Sequence, residues 1–127
     1  MNKRIIKSDK IPTPIGPYNQ AVAVGNLLYL SGQIPLDPST NTIVPGGVVE
    51  QTHQVLKNIS SILSAAGTSL ENVVKATVFL KNMQDFAEMN KVYAEYIKAE
   101  WAPARSTIEV ARLPKDALVE IEVVAAL

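Results

Sequence analysis

Two stretches near the C-terminus constrain this chain more than any other part of it: Pro103-Ala104-Arg105-Ser106-Thr107-Ile108-Glu109-Val110 and Leu118-Val119-Glu120-Ile121-Glu122-Val123-Val124. Both alternate with a period of two, which suits a pleated strand with one apolar face and does not suit a helix. Ile108 and Val110 share a face, as do Val119, Ile121 and Val123, while Arg105, Thr107, Glu120 and Glu122 point the other way. The pattern predicts an arginine and a carboxylate on the same side of a sheet, beside a hydroxyl. Such a place suits a small molecule that bears a carboxylate.

The rest of the chain supplies partners for these strands. Arg4 to Ser8 reads as a short strand, and Thr13-Pro14-Ile15-Gly16-Pro17 is turn material that sets Tyr18 before the next extended run. Ala21 to Val24 and Leu27 to Ser31 flank Gly25-Asn26, a connection suited to a tight hairpin. Pro35 to Asn41 reads as a loop. Val49, Thr52, Val55, Leu56, Ile59, Ile62, Leu63 and Ala66 then form a helical stripe that Gly67 ends.

Val73 to Leu80 returns to a strand rich in β-branched residues. Asp85-Phe86-Ala87-Glu88 has the form of a capping box for a helix whose face carries Phe86, Met89, Val92, Tyr93, Tyr96 and Ile97. Strands over Ala104 to Val110 and Ala117 to Ala126 complete the order β, β, β, α, β, α, β, β. This predicts an α+β fold, two helices packed on one face of a mixed β-sheet, with residues 1–127 as a single domain.

Composition narrows the function classes. Hydrophobic residues make up 47% and charged residues 19%, the balance of a folded chain. Twelve basic residues offset twelve acidic ones, so no global field draws the protein to nucleic acid or to an anionic membrane. The absence of cysteine removes disulfides, thiolate nucleophiles and zinc–thiolate sites. After Lys3-Arg4-Ile5-Ile6-Lys7 come Ser8-Asp9-Lys10 and prolines where a secretion signal would need its apolar stretch, and no apolar run approaches the roughly 20 residues of a membrane span. The expectation is a cytoplasmic protein without a membrane partner.

The second face of the sheet is unusual. Strand Val73 to Leu80 is expected to place Val74, Ala76, Val78 and Leu80 under the helices and to leave Val73, Lys75, Thr77 and Phe79 outside, where Leu28 and Leu30, or Leu27 and Tyr29, join them with Arg105 and Glu120. That face is too apolar to be fully wet and too charged for an ordinary core. An interface between copies accounts for it.

Over almost its whole length the chain resembles the RidA (YjgF) family of small homotrimeric enamine/imine deaminases. The resemblance rests on Gly16-Pro17-Tyr18-Asn19-Gln20-Ala21, Ser31-Gly32-Gln33-Ile34-Pro35, Gln51-Thr52 with Asn58 and Ala66-Gly67, Val74-Lys75-Ala76-Thr77-Val78-Phe79-Leu80, and Asp85-Phe86 with Asn90 and Tyr93. Pro103-Ala104-Arg105-Ser106, Leu113-Pro114 and Val119-Glu120-Ile121-Glu122 complete it. It implies a chorismate-mutase-like fold assembled as a homotrimer, with clefts between subunits. In that family the counterpart of Arg105 binds the substrate carboxylate, that of Glu120 holds or activates water, and that of Tyr18 lines the cleft. Ser31, Gly32, Asn90 and Thr107 match further positions around the pocket, as substrate-binding residues. Many members have cysteine where this chain has Thr107.

The implied chemistry takes 2-imino acids to 2-keto acids: water adds to the C=N carbon and ammonia departs. Arginine's planar fork grips a carboxylate with two parallel hydrogen bonds. A partly desolvated carboxylate base has its pKa raised toward the working pH. Imines already hydrolyse in water, so orientation and modest proton transfer suffice, and no cofactor or metal is implied.

Without the resemblance, Arg105 and Glu120 read better as a cross-strand ion pair worth about 0.2–1 kcal/mol. Tyr18 then reads as a loop anchor, Asn90 as a solvated helix residue, Ser31-Gly32 as a strand end, Lys75 as an interface ion-pair partner, and His53 as an exposed residue near Glu50 and Lys57. Two other functions stand beside deamination: a non-catalytic keto-acid-binding or chaperone-like trimer, and a translation inhibitor with ribonuclease activity. Neutral charge, a single histidine and the lack of an aromatic-basic stripe argue against nucleic acid as a partner.

Overall fold

The computed structural model describes residues 2–127. The elements run in the order β1 (Lys3–Ile6), β2 (Ala21–Val24), β3 (Leu27–Leu30), β4 (Leu36–Asp37), β5 (Thr42–Ile43), α1 (Val48–Ala65), β6 (Val73–Leu80), α2 (Phe86–Tyr96), β7 (Ala104–Glu109) and β8 (Val119–Ala126). Six strands form one mixed sheet in the order β1-β2-β3-β8-β6-β7, and both helices pack on one of its faces. β1, β2 and β3 make an antiparallel meander. β8 lies antiparallel between β3 and β6. β6 and β7 are parallel, so the chain must cross over between them, and α2 makes that crossing. Among the described residues no helix is long and apolar enough to cross a membrane.

The core forms where the stripe of α1 meets the sheet. Val55, Leu56, Ile59, Ile62 and Leu63 are buried together with Ala23, Leu28, Val78 and Ile121. Truncating Ile59 to alanine would cost about 2–5 kcal/mol in lost transfer energy and residual cavity. Two polar contacts fix the helix at its first turn. The Gly47 amide donates to Glu50 Oε1 at 2.8 Å, and the Leu118 amide donates to Gln51 Oε1 at 2.8 Å, tying α1 to the entry of β8.

Four local expectations are corrected. Residues 35–41 are not wholly loop: Leu36–Asp37 pairs with Thr42–Ile43 in a separate two-stranded ribbon, turned by Asn41 at φ 58° and by Asp37, whose carboxylate accepts from the Ser39 amide. The capping box at Asp85 does not form. A short 3₁₀ turn over Met83–Asp85 leads into α2, so the first free amides lie upstream and Asn82 accepts from the Gln84 amide at 3.0 Å. In β6 the register slips between Val73 and Lys75, a bulge that buries Val73 and leaves Val74 48% exposed, the reverse of the alternation expected. From Ala76 onward the expected alternation holds. His53 is not free on the surface: its Nδ1 lies 2.8 Å from the Tyr96 hydroxyl on α2.

Candidate active site

The residues singled out by sequence fall into two groups on opposite faces of the sheet. The parallel register aligns Ala76 with Arg105 and Val78 with Thr107, and aligned residues share a face. Arg105 and Thr107 therefore look toward the helices, as Ala76 and Val78 do. The Arg105 guanidinium lies over the Tyr93 ring, 4.6 Å from its centroid, with the Phe86 ring at 5.7 Å. Phe86 and Tyr93 stand two helical turns apart on α2 and so meet the same strand. Asn90, Tyr93, Ile97, Lys98, Pro103 and Arg105 line a cavity of about 310 Å³. Among the described residues no carboxylate forms a salt bridge with Arg105.

The second group gathers around β8. Glu120 aligns with Phe79 and Glu122 with Thr77, on the face turned away from the helices. Glu120 packs directly on Gly32: a Cβ there would stand 2.9 Å from the Glu120 Cδ and closer still to a carboxylate oxygen, so the glycine makes the room. Burial pushes the Glu120 carboxyl above its ordinary value, and repulsion from Glu122 adds to the rise. Ser31 straps the neighbouring loop, its Oγ donating to the Asn19 carbonyl at 2.6 Å and its amide to the Gln20 carbonyl at 2.9 Å. Tyr18 is exposed at the head of that loop and shares a cavity of about 190 Å³ with Gly32 and Ile34. A larger concavity, about 1180 Å³ between residues 7–20 and α1, contains only Tyr18 of the candidate residues.

The expectation that Arg105 and Glu120 share one side of the sheet is thus corrected. Glu120, Phe79 and Ile108 align across three strands, so two strand spacings and three residues along put the Arg105 and Glu120 Cα atoms about 14 Å apart. Their side chains also leave opposite faces. Alternation shows which residues of one strand travel together; which way the strand is turned depends on its pairing, and a crossover connection decides that through register. Arg105, Thr107 and Asn90 stand on one side, with Glu120, Gly32, Ser31 and Tyr18 in the other group.

Two features were not legible beforehand. The Thr107 hydroxyl is buried without a hydrogen-bond partner, and so is the Tyr93 hydroxyl. Burial pushes the Tyr93 phenol up, while Arg105's charge, beside it without a well-formed hydrogen bond, pulls the other way. Tyr93 was visible in the sequence as a helix-face residue; its place beneath Arg105 depends on how α2 crosses β7.

Residues 8–127 match the pattern of the family described as Endoribonuclease L-PSP, and the chain belongs to this family, the RidA family. A RutC family protein of Pyrococcus horikoshii is 57% identical over 123 residues, covering 97% of each chain. The mouse 2-iminobutanoate/2-iminopropanoate deaminase is 49% identical over 123 residues, which cover 97% of this chain and 90% of the mouse protein. Among solved structures, a conserved Rid-family protein of Yersinia pestis superposes with a TM-score of 0.96 at 47% identity, covering 99% of this chain and 100% of that one.

Proposed function

We propose that the protein is an imine deaminase that hydrolyses 2-imino acids such as 2-iminopropanoate and 2-iminobutanoate to 2-keto acids and ammonia. The observation that carries this reading is the Glu120 carboxyl, half-buried against Gly32 with its pKa raised, as a base must be to work near neutral pH. Arg105, with no carboxylate partner among the described residues, supplies the grip on the substrate carboxylate. Glu120 takes a proton from water as oxygen attacks the C=N carbon, and the nitrogen leaves protonated as ammonia. Tyr18, Ser31, Gly32, Asn90 and Thr107 shape the cleft. The mouse relative's name supports the substrate class.

Because Arg105 and Glu120 diverge within one chain, this reading requires a cleft shared between copies, with residues 1–127 acting as one domain of a homotrimer. Tyr29 and Ile108, 46% and 44% exposed on the face away from the helices, together with Val74 at the bulge, support burial of that face by a second copy. The ribonuclease reading finds less support: net charge is zero and the single histidine is held by Tyr96. The test generates imines in place with an amino-acid oxidase and follows their semicarbazone trapping. The protein should accelerate loss of the trappable imine; an unchanged rate would overturn the reading.

A further inference from the structure

The two arginines of the C-terminal region are held in contrasting ways. Arg112 is pinned by Asp116 through two bonds of 2.7 and 3.2 Å, an exposed pair that occupies its fork. Arg105, half-buried on an edge strand, is held instead by aromatic faces. A carboxylate orients a guanidinium by using its N–H donors; an aromatic face orients it and uses none. The nearer of the two rings belongs to Tyr93, which is only 6% exposed and therefore fixed, while Phe86, 37% exposed, covers the guanidinium more distantly.

We propose that Tyr93 is the positioning residue for Arg105: its ring is a platform that sets the plane of the guanidinium while leaving every donor free for a bidentate carboxylate. This rests on the reading of Arg105 as the carboxylate anchor. The hydroxyl is not what the platform needs. It is sealed from solvent and, though it lies beside the guanidinium, forms no well-aligned hydrogen bond with it. The ring's π face is the working part.

The experiment measures 2-oxobutanoate binding by titration calorimetry for the parent, Tyr93→Phe, Tyr93→Met and Phe86→Leu, each also in an Arg105→Lys background. Tyr93→Phe keeps the face and should bind within about twofold of the parent. Tyr93→Met keeps bulk and loses the face, and should weaken binding about tenfold, with a smaller loss for Phe86→Leu. A lysine ammonium has no plane to orient, so in the Arg105→Lys background both losses should shrink to less than about twofold. Parent-like binding by Tyr93→Met, or equal losses in both backgrounds, would overturn the proposal. Should Tyr93→Met fail to fold, the half-exposed Phe86→Leu cycle decides with the same signs. The side-chain Nε–H resonance of Arg105 gives a readout that needs no ligand: it should be ordered in the parent and in Tyr93→Phe and mobile in the folded Met or Leu variant. If the parent binds no 2-oxobutanoate, the carboxylate reading fails while this resonance still tests the platform; an unchanged resonance in Tyr93→Met or Phe86→Leu overturns it.

Discussion

The edge strand β7 and the central strand β8 present their charged residues in different ways. On β7, Arg105 lies on aromatic rings beside an open cavity, and the strand's outer edge is unpaired. On β8, Glu120 stands between its β6 partner Phe79 and the segment bridged at Gln33–Ile121, and is confined by a glycine. A guanidinium stays ionised whatever its surroundings, so it needs orientation more than a special medium. A carboxyl needs the medium, because desolvation and a like charge raise its pKa, as burial and Glu122 do here. The edge suits the first requirement and the crowded centre the second.

The sharpest test of the β8 side is Glu120→Gln, which keeps the shape and removes the base. Turnover should fall about 10²–10⁴-fold, with 2-oxobutanoate binding kept or tightened. Trapping kinetics and calorimetry on one preparation separate the two, and turnover at the parent level would make the protein a binder and not a catalyst. On the β7 side, Arg105→Lys keeps charge without the fork, and kcat/KM should drop by roughly 1.5–3 kcal/mol, about tenfold to a hundredfold. An unchanged value would return Arg105 to a structural role.

Mixing these two variants tests whether the halves meet between copies. If each cleft takes Arg105 from one subunit and Glu120 from the next, co-refolding equal amounts should restore about a quarter of the parent activity, because random assembly leaves that share of clefts intact. A mixture no more active than its components would exclude the shared cleft. Gly32→Ala should have a smaller effect: the new Cβ displaces the flexible end of Glu120 without touching the core, and activity should fall about tenfold while the melting temperature stays close to the parent's. Parent-like kinetics there would show that confinement does not tune Glu120.

The smallest effect is on stability. Since the folded-state pKa of Glu120 is raised, its favourable contribution is fully present below the ordinary value of 4.5 and is lost as pH rises through the raised value. Glu120→Gln should therefore melt slightly above the parent at neutral pH and converge with it below about 4.5, in paired thermal scans. Asp116, held below its ordinary value first by its hydrogen bond to Arg112 and then by that residue's charge, acts in the opposite sense, losing its contribution as pH falls through its lowered pKa. Activity should show an acid limb above the usual carboxylate range for the same reason that stability declines there.

Period and punctuation were enough to read the two helices, the six strands of the main sheet and the core, though not the short ribbon of β4 and β5. The helical stripe of α1 and the alternation of β8 each state their own buried face, and Gly67 and Pro103 mark where neighbouring elements end. What could not be read depends on pieces meeting at a distance. The facing of Arg105 follows from the parallel pairing of β7 on β6, and the partner of His53 from the crossing of α1 and α2. The cap at Asn82 escaped because Asp85-Phe86-Ala87-Glu88 offers an equally good local signal, which the preceding 3₁₀ turn overrides. Gly32 was recognised by resemblance, but its physical reason, the Glu120 side chain in the space of its missing Cβ, belongs to β8 and the segment that follows β3, brought together by an isolated bridge between Gln33 and Ile121.

The bulge at Val74 bears on inheritance. Val73 aligns with Ala125 and Lys75 with Val124, so a chain that lost codon 74 would read as an unbroken ladder, with Val73 still inward and Lys75 still outward. Losing codon 77 would instead turn over the residues between the lesion and the strand's start, because alternation has period two. Within one eight-residue strand, a deletion thus preserves the ladder's register at one codon and inverts its facing three codons later. Val74 is the residue this strand can lose, and length variation among the chain's descendants should gather there.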